Sequence, residues 1–351
     1  MAKLKVGVIG CGSIAQHRHI PEYMWNNQVE LVAVCDIHEE RVAEVADKYQ
    51  VQAFTDYKEL LKIAEIDAVS VCTPNYLHAP ISIDALHAGK HVLCEKPMAT
   101  SEEEADQMIQ AAKQSGKKLM IGHNQRFVSS HQKAHQLIKS GEVGKIYSFR
   151  TTFGHGGPEG WSVDGKDSWF FKKEEAFIGA MGDLGVHKAD LLRYVLGEEF
   201  TEVGAFVETN AKDFSSVDDN AVCILRTESG IIGTLTASWA YRGKEDNSTV
   251  IYAEKAVIRL EDDPNYSLII QYTNGEKVNY ELGRIQSNDN GGQNKTGVID
   301  HFVESILEDK EPLISGEEGK KSLAIILAAL ESQEKKTIAK IEINNQAVIN
   351  N

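Results

Sequence analysis

The chain predicts an α/β fold in two parts. The first is a doubly wound parallel sheet; the second is an α+β domain with a large open, mainly antiparallel sheet. Three observations predict it. Short β-branched runs alternate with helix-length patterns over the first ~120 residues. A Gly-rich turn joins the first run to the first helix. After His123 the alternation gives way to hairpins.

The runs lie at 5–9, 31–35, 68–72, 91–94 and 119–121. They are almost continuously apolar, as strands buried on both faces must be. Helical patterns fill the gaps at 14–25, 39–49, 57–64, 78–88 and 101–114. Strand-helix alternation with right-handed crossovers winds such strands into one parallel sheet. The expected boundary gives a first domain at 1–123 and a second at 124–351. In the second, a helix at 129–139 ends at Gly141. Two hairpins follow, 220–227 with 231–239 and 268–272 with 277–282. The latter turns through Thr273-Asn274-Gly275-Glu276, where Asn-Gly suits the positive φ angles of a type I′ turn. Helices at 298–308 and 316–335 come next, and the Asn-rich tail from Asn344 is expected to fray. No internal repeat is present.

Composition narrows the function. With 351 residues and 42% hydrophobic content, two domains can each bury a core. A net charge of -15 argues against nucleic acid and against anionic membrane as partners. The five cysteines, Cys11, Cys35, Cys72, Cys94 and Cys223, are odd in number and show no disulfide or zinc spacing. A cytoplasmic protein without signal peptide or membrane span is expected.

The turn Gly10-Cys11-Gly12-Ser13-Ile14-Ala15 ends a strand and opens a helix. Gly10 allows the tight turn, Gly12 admits a pyrophosphate, and Ala15 lets helix and strand pack closely. Free N–H groups at the helix start attract phosphate. Asp36, ending the second run and followed by Ile37, is placed to accept from a ribose diol and to repel a 2′-phosphate. Arg41 is expected on the helix surface, so NAD is favoured and NADP less so.

Two elements carry chemistry. Glu95-Lys96-Pro97 closes the apolar run at 91–94, placing Lys96 at a sheet edge where it can donate to a substrate oxygen or stabilise alkoxide charge. Gly179-Ala180-Met181-Gly182-Asp183-Leu184-Gly185-Val186-His187-Lys188-Ala189-Asp190 puts Asp183, His187 and Asp190 at i, i+4 and i+7 of one helix. A carboxylate one turn from an imidazole can fix its tautomer. His17 and His19 are in His-x-His spacing, but too few ligands converge for a metal site to be expected. No Gly-x-Ser-x-Gly elbow supports a hydrolase.

In combination these motifs resemble the glucose-fructose oxidoreductase and inositol dehydrogenase family, also called Gfo/Idh/MocA. The resemblance spans essentially the whole chain. It implies a Rossmann domain and Lys96 as the hallmark catalytic residue. It also assigns cofactor roles to Thr73, Pro74, Asn75 and His78, which match a Thr-Pro-Asn-x-x-His loop. The expected cofactor set is then Gly10, Cys11, Gly12, Ser13, Ile14, Asp36, Ile37, Thr73, Pro74, Asn75, His78, Glu95, Lys96 and Asn124. Ala180 and Met181 stand where the family more usually has glycine. Gln125 and Arg126, leaving the last strand of the first domain, resemble the family's junction segment, which implies them as substrate contacts. Trp169 matches a family Trp, and His155 and Tyr241 join it as candidate substrate contacts.

The implied reaction moves hydride between the cofactor and a ring carbon of a sugar or cyclitol. His187, supported by Asp183, exchanges the hydroxyl proton; Lys96 steadies the oxygen; Asp190 holds a neighbouring hydroxyl. Either Lys96 or His187 is the principal base. A non-catalytic sugar sensor and an NAD-dependent glycosidase are the alternatives. A homodimer or homotetramer is expected, joined through the second sheet, because too few helices remain to cover its outer face.

Overall fold

The computed structural model describes residues 2–283 and 295–342; the tail read as frayed lies outside them. The first sheet has six parallel strands in the order β3-β2-β1-β4-β5-β6. They are β1 (Leu4–Ile9), β2 (Val29–Cys35), β3 (Gln52–Phe54), β4 (Ala68–Val71), β5 (His91–Cys94) and β6 (Leu119–Ile121). The order reverses at β1, so the crevice beyond the carboxyl ends of β1 and β4 is the switch point where such sheets bind ligands. The helices are α1 (Ile20–Trp25), α2 (Glu39–Tyr49), α3 (Tyr57–Leu61), α4 (His78–His87) and α5 (Glu102–Ser115). A π-helical turn, Ala15–His19, precedes α1. The helices α3 and α5 start on side-chain caps, Asp56 and Ser101 respectively. The strand β3 escapes the sequence pattern because it has three residues and only one that is half-buried.

The second sheet has nine strands, running β14-β13-β12-β11-β7-β10-β9-β8-β15. These are β7 (Ile146–Gly154), β8 (Phe200–Glu208), β9 (Asn220–Thr227), β10 (Ile232–Ser238), β11 (Thr249–Ala253), β12 (Ala256–Leu260), β13 (Leu268–Tyr272), β14 (Lys277–Tyr280) and β15 (Ala339–Lys340). All neighbours are antiparallel except β7 and β10, which pair in parallel from Ile232↔Ser148 to Ser238↔Gly154. One face packs on α6 (Ser129–Lys139), α8 (Val186–Leu196) and α10 (Gly316–Lys335). The short helix α7 (Lys173–Ala176) leads into a second π-helical turn, Met181–Gly185.

Two expectations need correction. The 273–276 turn is not type I′: Gly275 has φ 92°, but Asn274 stays negative. Gly275 N–H donates to the Tyr272 carbonyl and Tyr272 N–H to that of Glu276. A three-residue connection needs a left-handed residue only in its last position. The hairpin at Thr227–Ile231 closes the same way around Gly230, φ 92°. The boundary at 123 also does not divide the cores. The last helix before α10, α9 (Val298–Leu307), buries Val298, Ile299, Phe302 and Val303 in the first domain's core, together with Ile314. Ile121 N–H donates to the Ile314 carbonyl, and Glu22 accepts from Thr296. The first domain is therefore built from two separated stretches of chain.

Candidate active site

A cavity of about 630 Å³ runs from the Gly-rich turn to the face of the second sheet. At one end Gly10 has φ +94°, and a Cβ there would lie 2.5 Å from the Cys72 carbonyl oxygen. A Cβ on Gly12 meets nothing within 4 Å, so the turn opens into the cavity. Both facts fit a cradle for a dinucleotide pyrophosphate. Asp36 closes this end, its carboxylate accepting from the N–H of Cys11 at 2.8 Å and of His38 at 3.0 Å. Ser13, Ile14, Ile37, Thr73, Pro74, Asn75 and His78 also line the cavity. Cys11 does not; its thiol is buried and pushed up to about 12 by burial. His78 staples the loop, its ring contacting the carbonyls of Pro97 at 2.7 Å and Thr73 at 2.9 Å. Asn75 reaches the other domain, donating to the Ala176 carbonyl at 2.8 Å.

Arg41 does not lie idle on the helix surface. It lines the cavity, 3.7 Å from the Asp36 carboxylate and 2.5 Å from that of Asp164. The correction comes from position: Arg41 stands in the first turn of α2, where its side chain reaches back toward the strand end that α2 leaves.

At the other end, Lys96 Nζ donates to Asp183 Oδ1 at 2.7 Å and to the Asp183 carbonyl at 2.9 Å. The second carboxylate oxygen accepts from Trp239 Nε1 at 3.1 Å. Asp183 is thus fully engaged and makes no hydrogen bond to His187, contrary to the sequence reading. An ammonium and an indole N–H satisfy both carboxylate oxygens, and a charged donor wins over a neutral imidazole. His187 lines the cavity with Nδ1 lacking a hydrogen-bond partner among the described residues. Burial, then the charge of Lys96, pushes its pKa well below 6.5, leaving a neutral base.

The element that carries Asp183 and His187 is clamped by Asp218. Its carboxylate accepts from Gly179 N–H at 2.7 Å and Met181 N–H at 2.8 Å. A Cβ on Gly179 would fall 1.8 Å from the Asp218 carbonyl oxygen, so glycine is required there. Ala180 and Met181, the departures from glycine, are buried in the second core without disturbing the turn.

Glu95 is held from below. Arg18 donates to its Oε1, and His19 Nε2 lies 2.7 Å from the same oxygen. His19 Nδ1 is 3.0 Å from Ser70 Oγ, itself 2.8 Å from Tyr23 OH. Burial keeps His19 neutral, so Nε2–H donates to Glu95 and Nδ1 accepts from Ser70. His19 of the His-x-His pair therefore serves a hydrogen-bonded chain beneath Lys96.

Several expected substrate contacts lie elsewhere. Asp190 is fully buried and accepts from Arg126 Nε at 2.8 Å, Arg126 Nη2 at 2.7 Å and Ser322 at 3.0 Å. Burial alone would raise its pKa, but His123 and Arg126 bring it down to about 2. Arg126 also meets Glu318 at 3.0 Å. This pair braces the domain junction and does not line the cavity. Nor does Gln125, which donates to Asn247, or the buried Asn124. Tyr241 instead packs flat on Gly154. His155 and Trp169 do line the cavity, within an aromatic wall completed by Phe153, Trp161 and Phe170. Of the groups the sequence did not single out, Trp239 had no signal: it ends an alternating strand and reads as core.

The match described as "Oxidoreductase family, NAD-binding Rossmann fold" covers residues 4–123, and the GFO/IDH/MocA C-terminal domain matches 131–259. The chain belongs to the Gfo/Idh/MocA family. It is 30% identical over 281 residues to levoglucosan dehydrogenase of Pseudarthrobacter phenanthrenivorans, covering 71% of each chain. Myo-inositol 2-dehydrogenase of Thermotoga maritima is 27% identical over 348 residues, 97% of this chain and 99% of that protein. A solved levoglucosan dehydrogenase in complex with NADH and levoglucosan superposes with TM-score 0.83 at 26% identity, over 97% of this chain and 100% of that one. The family match and fold make this Gfo/Idh/MocA protein an oxidoreductase with an NAD-binding Rossmann fold.

Proposed function

We propose that the protein is an NAD-dependent dehydrogenase oxidising a ring hydroxyl of a sugar or cyclitol. The observation that carries this reading is the pairing of Lys96 with Asp183 in the same cavity as the neutral His187. Gly10, Gly12, Asp36 and the Thr73–Asn75 loop would hold the cofactor. When bound, NAD supplies the hydride acceptor. Lys96, fixed by two bonds to Asp183, donates to the substrate oxygen and stabilises its charge. His187, which lines the cavity and makes no side-chain hydrogen bond to the described residues, takes the hydroxyl proton. The aromatic wall of Phe153, Trp161, Trp169 and Phe170 offers its faces to ring C–H groups and excludes water. Phe206, Ile224 and Ile232 expose apolar surface on the outer face of the second sheet, which supports self-association there.

The test is NADH formation from a panel of pyranosides, free aldoses and inositols, followed by absorbance. Turnover of at least one ring polyol with NAD is expected. No NADH from the panel, together with sugar released from chromogenic glycosides, would replace the reading with that of a glycosidase. Binding without either reaction would leave a sensor.

A further inference from the structure

We infer that Asp164, on a loop of the second domain, sets the choice between NAD and NADP by holding Arg41. The inference rests on the dinucleotide reading of the cavity and names a selectivity residue within it. Arg41 is the cation that lines the cavity beside Asp36, where a ribose 2′ substituent has to be accommodated. An arginine in this place is the group that can pair with a 2′-phosphate.

Here it is already paired. Nη2 donates to Asp164 Oδ1 at 2.5 Å, and Nη1 lies 3.7 Å from Asp36 Oδ1. Arg41 is 21% exposed and Asp164 34%, so the pair is partly screened from solvent. The loop that brings Asp164 is tied down independently. Ser13 in the Gly-rich turn donates to the Trp161 carbonyl at 2.9 Å, and Ser162 donates to Ser168 at 2.9 Å. One guanidinium thus faces two carboxylates. A 2′-phosphate has to displace Asp164 from Arg41 and then sit among like charges. A ribose diol only needs an acceptor, which Asp36 supplies.

The experiment measures dissociation constants for NAD and NADP by titration calorimetry, with no substrate present. It compares the wild type, Asp164→Asn, and the double variant Arg41→Ala/Asp164→Asn. Asp164→Asn keeps the shape of the loop residue and removes its charge. The affinity for NADP relative to NAD is expected to rise on the order of tenfold. The double variant is expected to lose that gain, because the gain acts through Arg41. An unchanged ratio in Asp164→Asn, with NAD still bound, overturns the proposal alone. So does a gain that survives in the double variant, since bare repulsion would then explain it. Failure of the wild type to bind either dinucleotide overturns the cofactor reading, and this inference with it.

Discussion

Lys96 and Asp183 are joined twice, through the aspartate's carboxylate at 2.7 Å and its main-chain carbonyl at 2.9 Å. The two residues come from different domains, so one pair fixes the ammonium and also registers the domains across the cleft. An ammonium has three N–H donors and two are spent on Asp183, so one is left for a substrate oxygen.

Lys96→Ala and His187→Ala should each lower turnover by on the order of 10²–10⁴ while NAD still binds. Steady-state kinetics with a responsive polyol, beside NAD titration, checks this. Near-normal turnover in either variant removes that residue from the mechanism.

Trp239→Phe keeps most of the ring and deletes the donor to Asp183. A hydrogen bond to a charged group contributes about 1.5–3 kcal/mol. A kcat loss of roughly tenfold, with KM little changed, is expected from a less firmly placed Lys96. A variant in which only KM changes would place Trp239 among the substrate contacts instead.

The oxidation rate should hold as pH falls from 8 to 6. In the proposed reaction His187 acts as a base in its neutral form, and its pKa is pushed below 6.5, so the acid limb of kcat/KM is expected below that value. A limb centred above pH 7 that disappears in a His187 variant would contradict the neutral, buried imidazole.

Asp190→Ala should act on stability before catalysis. It takes one carboxylate from the buried Arg126, which keeps Glu318, a loss of about 1.5–3 kcal/mol. Asp190 titrates lower in the fold than in the unfolded chain, about 2 against 3.8. Its contribution is therefore present above pH 3.8 and is lost as pH falls toward 2. Urea unfolding at pH 7 and pH 3 measures both. An unaltered midpoint with a raised KM would restore Asp190 to the substrate site.

Assembly is expected through the outer face of the second sheet, and Ile224→Lys/Phe206→Glu should weaken it. Light scattering at micromolar concentration should give a dimer or tetramer for the wild type and a smaller species for the variant. A wild-type monomer would refute the interface.

The sequence patterns foretold β5, β6, α6 and α10 to the residue, because each has strong periodicity and clear ends. The three-residue β3 had too few positions to show a period. The parallel pairing of β7 with β10 links strands far apart in the chain, which no local pattern encodes. Within the candidate site, the strand- and helix-end motifs carrying Lys96, Asp183 and His187 come together in one cavity, with Lys96 paired to Asp183. Arg126 and Asp190 were misread because residue type says what a group can bind, not which side of the junction it faces. Arg41 was misread for a different reason: its partner Asp164 lies 123 positions away.

The return of α9 to the first domain has a consequence for synthesis. The cofactor-binding half leaves the ribosome first, yet Val298, Ile299, Phe302, Val303 and Ile314 are needed to close its core. Until about residue 314 has emerged, the nascent sheet carries an open apolar face. The half that leaves the ribosome first is sealed only after most of the second has followed it.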